Sequence, residues 1–299
     1  MTKIVQCIPN FSEGKNLTTI NKLVEAAKST ASVFLLDYSS DENHNRSVFT
    51  LIGSPEGIED VVIKLCKVAR DNIDMTKHTG KHPRMGSTDV IALVPIKNVT
   101  MEETIKLSEK IGKRIYNELS IPVMLYANSA KNENRYNLAS IRKGEFENMA
   151  KKLLKEEWTP DFGESKIHPT AGITAVGTRN PMIAFNVNLN TNNLEIANNI
   201  AKIIRGSSGG FKDCKAISLF LEDKNIVQVS INMMNYNKLP LYRVFEIIKF
   251  EAKKYGVTVL ESEIVGITPG KALVDSAIYY LQMNNFNYSS QVLENYLFD

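Results

Sequence analysis

Twice along this chain of 299 residues the spacing of apolar side chains runs strand, helix, strand, strand, helix, strand. In the first half Ile4 to Pro9 reads as a strand, and Leu17, Ile20, Leu23, Val24 and Ala27 fall on one helical face. Val33 to Leu36 and Val48 to Ile52 are strands joined by a polar loop. Ser54-Pro55-Glu56 opens a helix with an N-cap, a proline at N1 and an acid in the first turn. Val90 to Val94 is the next strand, and Thr100 with Glu103 has the spacing of a capping box for a third helix. Pro122 to Ala127 is a strand, and a polar helix is expected to about Lys155. In the second half Pro181 to Leu189 is a strand and Leu194 to Ile204 a helix. Ala216 to Leu221 and Ile226 to Met233 form a hairpin, and a helix from Leu241 stops at Gly256. Val257 to Leu260 and Ile264 to Ile267 close the sheet, and Lys271 to Leu281 is a helix.

That order is the split βαβ of a ferredoxin-like sandwich. The expected class is α/β (α+β), with two ferredoxin-like βαββαβ sandwich subdomains spanning 1–180 and 181–299. Helices cover one face of such a sheet and leave the other for a partner. In the second half Asn186, Asn188, Gln228, Ser230 and Asn232 alternate with apolar neighbours, giving a neutral polar face that suits a ligand with many hydrogen-bonding edges. A Pro/Gly-rich connector from Trp158 through His168-Pro169 to Gly172 has no period and is long for a compact domain, which marks it as functional or as a linker.

The chemistry concentrates in Lys77-His78-Thr79-Gly80-Lys81-His82-Pro83-Arg84-Met85-Gly86. Its glycines and proline exclude a regular helix, so it is a shaped loop carrying cations and two imidazoles that titrate near neutral pH. The bland alternative is a solvated basic loop. His78 and His82 stand four apart, but Gly80 and Pro83 deny them a helix and no third ligand cluster is evident, so no metal is expected. His44 and His168 read as polar loop histidines. A net charge of +3 is too small to imply nucleic acid or a membrane as partner. No apolar run is long enough to span a bilayer, and the first residues read as a strand, not a signal peptide. Cys7, Cys66 and Cys214 are far apart in apolar surroundings and read as buried thiols, so a cytoplasmic setting is expected.

Several segments together resemble the glutamate formimidoyltransferase (formiminotransferase) family. They are Cys7 to Gly14, Asn45-Arg46-Ser47-Val48, Ile73-Asp74-Met75 through Lys77-His78 to His82-Pro83-Arg84-Met85-Gly86, Glu157-Trp158 with Pro160-Asp161-Phe162-Gly163, Ala184 to Leu189, Val229-Ser230 with Asn232, and Lys271-Ala272-Leu273 with Asp275. The likeness runs from Met1 to about Ala277 and includes nothing of the cyclodeaminase into which many animal members continue. It implies two α/β subdomains with facing sheets around a folate tunnel, and a homodimer. It also implies transfer of a formimino group between N5 of tetrahydrofolate, as co-substrate, and the nitrogen of L-glutamate, without a metal.

By this resemblance His82 is the general base, and a pKa near neutral would suit it. Gly163, Glu164, Ser165, Lys166, Ile167, His168, Pro169, Thr170, Ala171 and Gly172 form the folate-binding stretch. Lys77, Lys81, Arg84 and Arg46 are candidates for the carboxylates of glutamate or of the folate tail, with Asn10, Asp37, Asn45 and Asp89 supporting. Family members often carry an acid where this chain has Ser39, so that role passes to Asp37, Asp41 or Asp89, or is absent. Asp89 is either a partner of His82 or a strand-initiating residue. A formyl donor on the same scaffold, a non-catalytic folate-binding protein, and a ferredoxin-like nucleic-acid binder are the alternatives; the last wants aromatics on the open sheet face.

Overall fold

Strands β1 (Ile4–Phe11), β2 (Val33–Asp41), β3 (Arg46–Gly53) and β4 (Thr88–Lys97), with helices α1 (Leu17–Lys28) and α2 (Pro55–Asn72), form the first βαββαβ unit of the computed structural model, which describes residues 2–296. The four strands lie side by side as β2-β3-β1-β4, all antiparallel, as a ferredoxin-like sheet requires. Ser54 Oγ accepts the Gly57 N–H at 3.1 Å to cap α2, with Pro55 following it.

The first half departs from the simple repeat in two ways. Its sheet has six strands, because α3 (Met101–Leu119) leads to β5 (Val123–Ala127), and β6 (Thr174–Thr178) then slots in parallel between β4 and β5. The capping box of α3 is present, Thr100 N–H donating to Glu103 at 2.8 Å and Glu103 N–H to Thr100 Oγ1 at 3.1 Å. Sequence reading misses β6 because all five of its residues are buried and most are small, so no alternation shows. The expected long helix up to Lys155 is instead α4 (Leu138–Arg142) and α5 (Glu145–Lys152), broken where Gly144 and Glu145 adopt φ of +95° and +54°.

These additions matter for the site. One face of the sheet packs Phe11, Phe49, Leu51, Ile91 and Leu93 against the helices. On the other, Val90, Ala92, Met124, Tyr126 and Ala175 are covered by Ile141, Met149 and Leu153. The second face is therefore closed at the β4-β6-β5 end and left exposed along β2 and β3, where Asp37, Ser39 and Asp41 stand across from Thr50, Val48 and Arg46.

The chain divides into Met1–Arg179 and Asn180–Asp299. The second unit holds β7 (Ile183–Leu189), α6 (Leu194–Ile204), β8 (Cys214–Leu221), β9 (Ile226–Met233), α7 (Leu241–Lys253) and β10 (Val259–Val265), followed by α8 (Gly270–Tyr280) and α9 (Tyr288–Gln291). Its antiparallel sheet runs β10-β7-β9-β8, the ferredoxin-like order again. The polar face is present but is not neutral. β10 is one strand where two are expected, and it sets Glu261 and Glu263 beside the amides, with Asn188 donating to Glu261 at 2.8 Å and Asn186 to Glu263 at 3.0 Å. No helix among the described residues is long and apolar enough to cross a membrane. Cys7, Cys66 and Cys214 are buried and free.

Candidate active site

All four histidines belong to the first unit, and three of them meet where the turn between β2 and β3 touches the loop after α2. Asn45, at φ +49°, ties the place together. Its Oδ1 accepts the Gly14 N–H at 2.9 Å, its Nδ2 donates to the Thr79 carbonyl at 2.9 Å, and its carbonyl lies 3.0 Å from His78 Nε2. Gly80 permits the approach, since a Cβ there would fall 2.4 Å from the His44 carbonyl.

His78 is a strut. Its Nδ1 accepts from Arg84 Nε at 3.1 Å, so Nε2 carries the proton toward Asn45, and burial followed by the nearby Arg84 charge holds its pKa down. Arg84 is itself buried and fully engaged, donating to Glu145 and Glu147 at 2.5 Å each and to the His78 carbonyl at 3.2 Å. Through these partners Arg84 braces the loop. Lys77 is largely exposed, 3.5 Å from Asp74, and Lys81 is exposed.

His82 is half-buried, and its pKa is pushed down to about 4. Burial is the first cause; the charges of Arg46 and Arg142 come next, and a hydrogen bond to the Pro83 backbone opposes them. This differs from the near-neutral value expected for a base, because the ring is partly withdrawn from water, two guanidiniums act on it, and no carboxylate lies within ion-pair range of it among the described residues. The imidazole is therefore neutral at pH 7.

The two arginines differ. Arg142 is bonded to Asp89, whose other oxygen accepts the Met85 N–H at 3.0 Å. Asp89 thus supports the loop and pairs with Arg142 instead of His82. Arg46 bonds only the neutral Asn10 Oδ1, through both Nε and Nη2, and has no carboxylate within ion-pair range among the described residues. Of the acids weighed to replace the one absent at Ser39, Asp37 is exposed on β2 and Asp41 bonds His44. His44, expected to be a plain loop residue, stands with its ring centroid 6.5 Å from that of His82. Arg142, Glu145 and Glu147 were invisible as site residues in the sequence, because only tertiary folding brings their segment to this loop.

The connector is not a linker between the units. Asp161 accepts the Leu125 N–H at 2.7 Å and pairs with the buried Arg135 at 2.8 Å, which fixes the connector's start on β5. Its far end is stitched beside the histidine loop, where Ser87 N–H donates to the Ala171 carbonyl at 2.9 Å and Ile173 N–H to that of Met85 at 3.1 Å. Gly172, at φ +68°, is needed there because a Cβ would fall 2.2 Å from the Met85 carbonyl. Between these anchors Glu164, Ser165, Lys166 and Pro169 are exposed, Gly163, Ile167, His168 and Thr170 half-buried, and Ala171 and Gly172 buried. His168 Nδ1 accepts from the backbone of Thr170 at 3.3 Å and of Ala171 at 3.0 Å, which leaves Nε2–H to donate outward.

Comparison with known proteins agrees with this layout. Residues 4–179 match the family described as formiminotransferase domain, N-terminal subdomain, and residues 184–294 match formiminotransferase domain. A glutamate formimidoyltransferase of Streptococcus pyogenes serotype M1 is 59% identical over 99% of both chains. One from Thermoplasma acidophilum is 45% identical over 95% of this chain and 94% of its own. The formimidoyltransferase-cyclodeaminase of Dictyostelium discoideum is 41% identical over 95% of this chain, which spans 54% of that longer protein. With both subdomains matched in order and a relative this similar along its whole length, the chain belongs to the formiminotransferase family.

Proposed function

We propose that this protein transfers a formimino group between tetrahydrofolate and L-glutamate, with His82 as the group that moves the proton. The observation that carries the reading is the placement of the His82 imidazole on a loop braced by Asn45, His78 and Arg84, with Arg46, a guanidinium bonded to Asn10 and to no carboxylate among the described residues, acting on its charge. The attacking amine must shed a proton as its bond to carbon forms, and neutral His82 can accept it. Arg46 would take a substrate carboxylate, a role supported by its bond to the neutral Asn10 and to no acid among the described residues.

Gly163 to Gly172 would hold the folate. The fit is supported by the stretch being anchored at both ends and presenting polar groups and the His168 Nε2–H between them. Tetrahydrofolate, as co-substrate, supplies the ring nitrogen that carries the formimino group. The assignment needs no metal, and no cluster of three His, Cys, Asp or Glu suited to one occurs among the described residues. A homodimer in the cytoplasm completes this reading, supported by the family and by the free buried thiols.

The electrostatics give Arg46 a second task. Its charge is one of those opposing a proton on His82, so a carboxylate seated on Arg46 offsets that charge and raises the proton affinity of the base when substrate is in place. In the free protein, the His82 Cε1–H resonance should titrate well below the ordinary histidine value of about 6.5. Arg46→Gln should move that midpoint upward, because a positive charge is removed. A midpoint near 6.5 in the wild type, or no upward movement in the variant, would refute this account.

Purified protein given tetrahydrofolate and N-formimino-L-glutamate should form the 5-formimino product, followed by absorbance. N-formyl-L-glutamate, run in parallel, should not replace it. Turnover with the formyl compound alone would move the assignment to formyl transfer. Tight folate binding without turnover of either would leave a binding protein.

A further inference from the structure

His82 has a neighbour of its own kind. The β2–β3 turn carries His44, whose ring stands edge-on to that of His82 with centroids 6.5 Å apart and planes at 69°. Asp41 holds His44 at two points, its Oδ1 accepting the backbone N–H at 2.7 Å and its Oδ2 lying 3.1 Å from Nδ1. With Nδ1 given to the carboxylate, Nε2 is the nitrogen left for other partners. The turn is fastened to the His82 loop, since Lys81 N–H donates to the Asn43 carbonyl at 3.2 Å and Asn45 Nδ2 to that of Thr79 at 2.9 Å. Carboxylate, imidazole and imidazole are thus successive neighbours on one braced piece of the fold.

The charges around the pair are uneven. Burial first, then Arg46 of β3 and Arg142 of α4, and more weakly the charged form of His44 itself, oppose a proton on His82. Asp89 of β4 is bonded to Arg142 and to the Met85 N–H. Among the described residues, the carboxylate within ion-pair range of either ring is Asp41, which lies against His44. A proton taken up by His82 is therefore held poorly where it lands, and a carboxylate stands ready one imidazole away.

We propose that His44, oriented by Asp41, is a relay partner of His82, receiving at Nε2, through a bridging water because rings with centroids 6.5 Å apart cannot share a hydrogen bond directly, the proton that His82 takes from the attacking amine and returning it by the same route for the departing nitrogen. The inference rests on the formimino-transfer reading above. As the new carbon–nitrogen bond forms, the carbon–imino double bond gives its pair to the imino nitrogen and the amine gives its proton to His82, which passes it to His44. When the old carbon–nitrogen bond breaks, its pair goes to the departing nitrogen, the imino double bond re-forms, and the proton comes back through His82 to that nitrogen. One proton is taken and one returned, so no further reactant is needed. His44 acts through His82 and is in that sense a positioning residue. A serine at position 39 is compatible with this arrangement, because Asp41, on the same strand face and set across from Arg46, is the acid that reaches His44.

The test compares wild type with His44→Gln, His44→Ala and Asp41→Asn in formimino transfer, with folding checked by circular dichroism. His44→Gln and Asp41→Asn should lower kcat by about tenfold to a hundredfold, with both KM values within about twofold of wild type. Free imidazole should restore a substantial part of the His44→Ala loss, which a purely structural role would not allow. An active wild type with unchanged kcat in His44→Ala overturns the relay alone. So does a loss of kcat that glutamine repairs and imidazole does not. Asp41→Asn keeps the shape of the turn and decides the question if His44→Ala misfolds, an unchanged kcat again overturning the relay. A wild type inert with the formimino compound overturns the functional assignment and the relay with it.

Discussion

Replacing His82 by alanine should lower kcat for formimino transfer by about 10²- to 10⁴-fold, the usual contribution of a general base or acid. The KM of either substrate should change far less, because the groups proposed to bind substrate are elsewhere. Arg46 keeps its bond to Asn10, and the 163–172 stretch keeps its anchors at Asp161 and Ala171. The loop should also keep its shape, since the struts are His78, Arg84 and Asn45. Steady-state kinetics with equilibrium folate binding separates these effects. A variant keeping more than about a tenth of wild-type kcat would place the proton transfer on another group, because general acid–base contributions begin at about a hundredfold.

The second large effect concerns stability. Arg135 and Asp161 form a buried ion pair, with side chains only 5% and 10% exposed. Arg135 also donates to the Glu157 carbonyl at 3.0 Å and that of Thr159 at 2.6 Å, while Asp161 holds the Leu125 N–H. Asp161→Ala would leave the guanidinium without its counter-charge in the interior, a change that costs about 3–5 kcal/mol. For a unit of this size the melting temperature should fall by roughly 10 °C. Replacing both partners by apolar residues of similar volume should recover only part of the loss, since the desolvation cost disappears with the charges but the Leu125 N–H and the Glu157 and Thr159 carbonyls lose their partners. A single variant melting within about 2 °C of wild type would contradict the pair's structural role, given the shift expected for such a loss. Folate affinity should fall along with stability, because this anchor sets where the stretch from Gly163 begins.

The same pair shows why the motif Glu157-Trp158 with Pro160-Asp161-Phe162-Gly163 was legible as unusual and yet not as structural. Its acid is explained by Arg135, which lies on a separate segment and carries no local signal. Phe162 likewise packs on Gly112 of α3, where a Cβ would meet its ring at 2.9 Å.

What the sequence determined by itself was whatever depends on neighbours along the chain. Apolar periodicity gave most of the helices and strands, and their order gave the ferredoxin-like arrangement of both units, because side chains close in sequence decide which face of an element is buried. The caps at Ser54 and Thr100 were readable for the same reason. The His82 loop stood out because glycine, proline and histidine in that density fit neither periodic structure. Tertiary structure alone decided the rest. Strand β6 exists because β4 and β5 leave a buried slot that small residues fill. Arg84 pairs with Glu145 and Glu147, and Asp89 with Arg142, since a charge is claimed by whichever partner folding brings within reach. For the same reason His44, unremarkable in its loop, came to stand between Asp41 and the histidine around which the site is built.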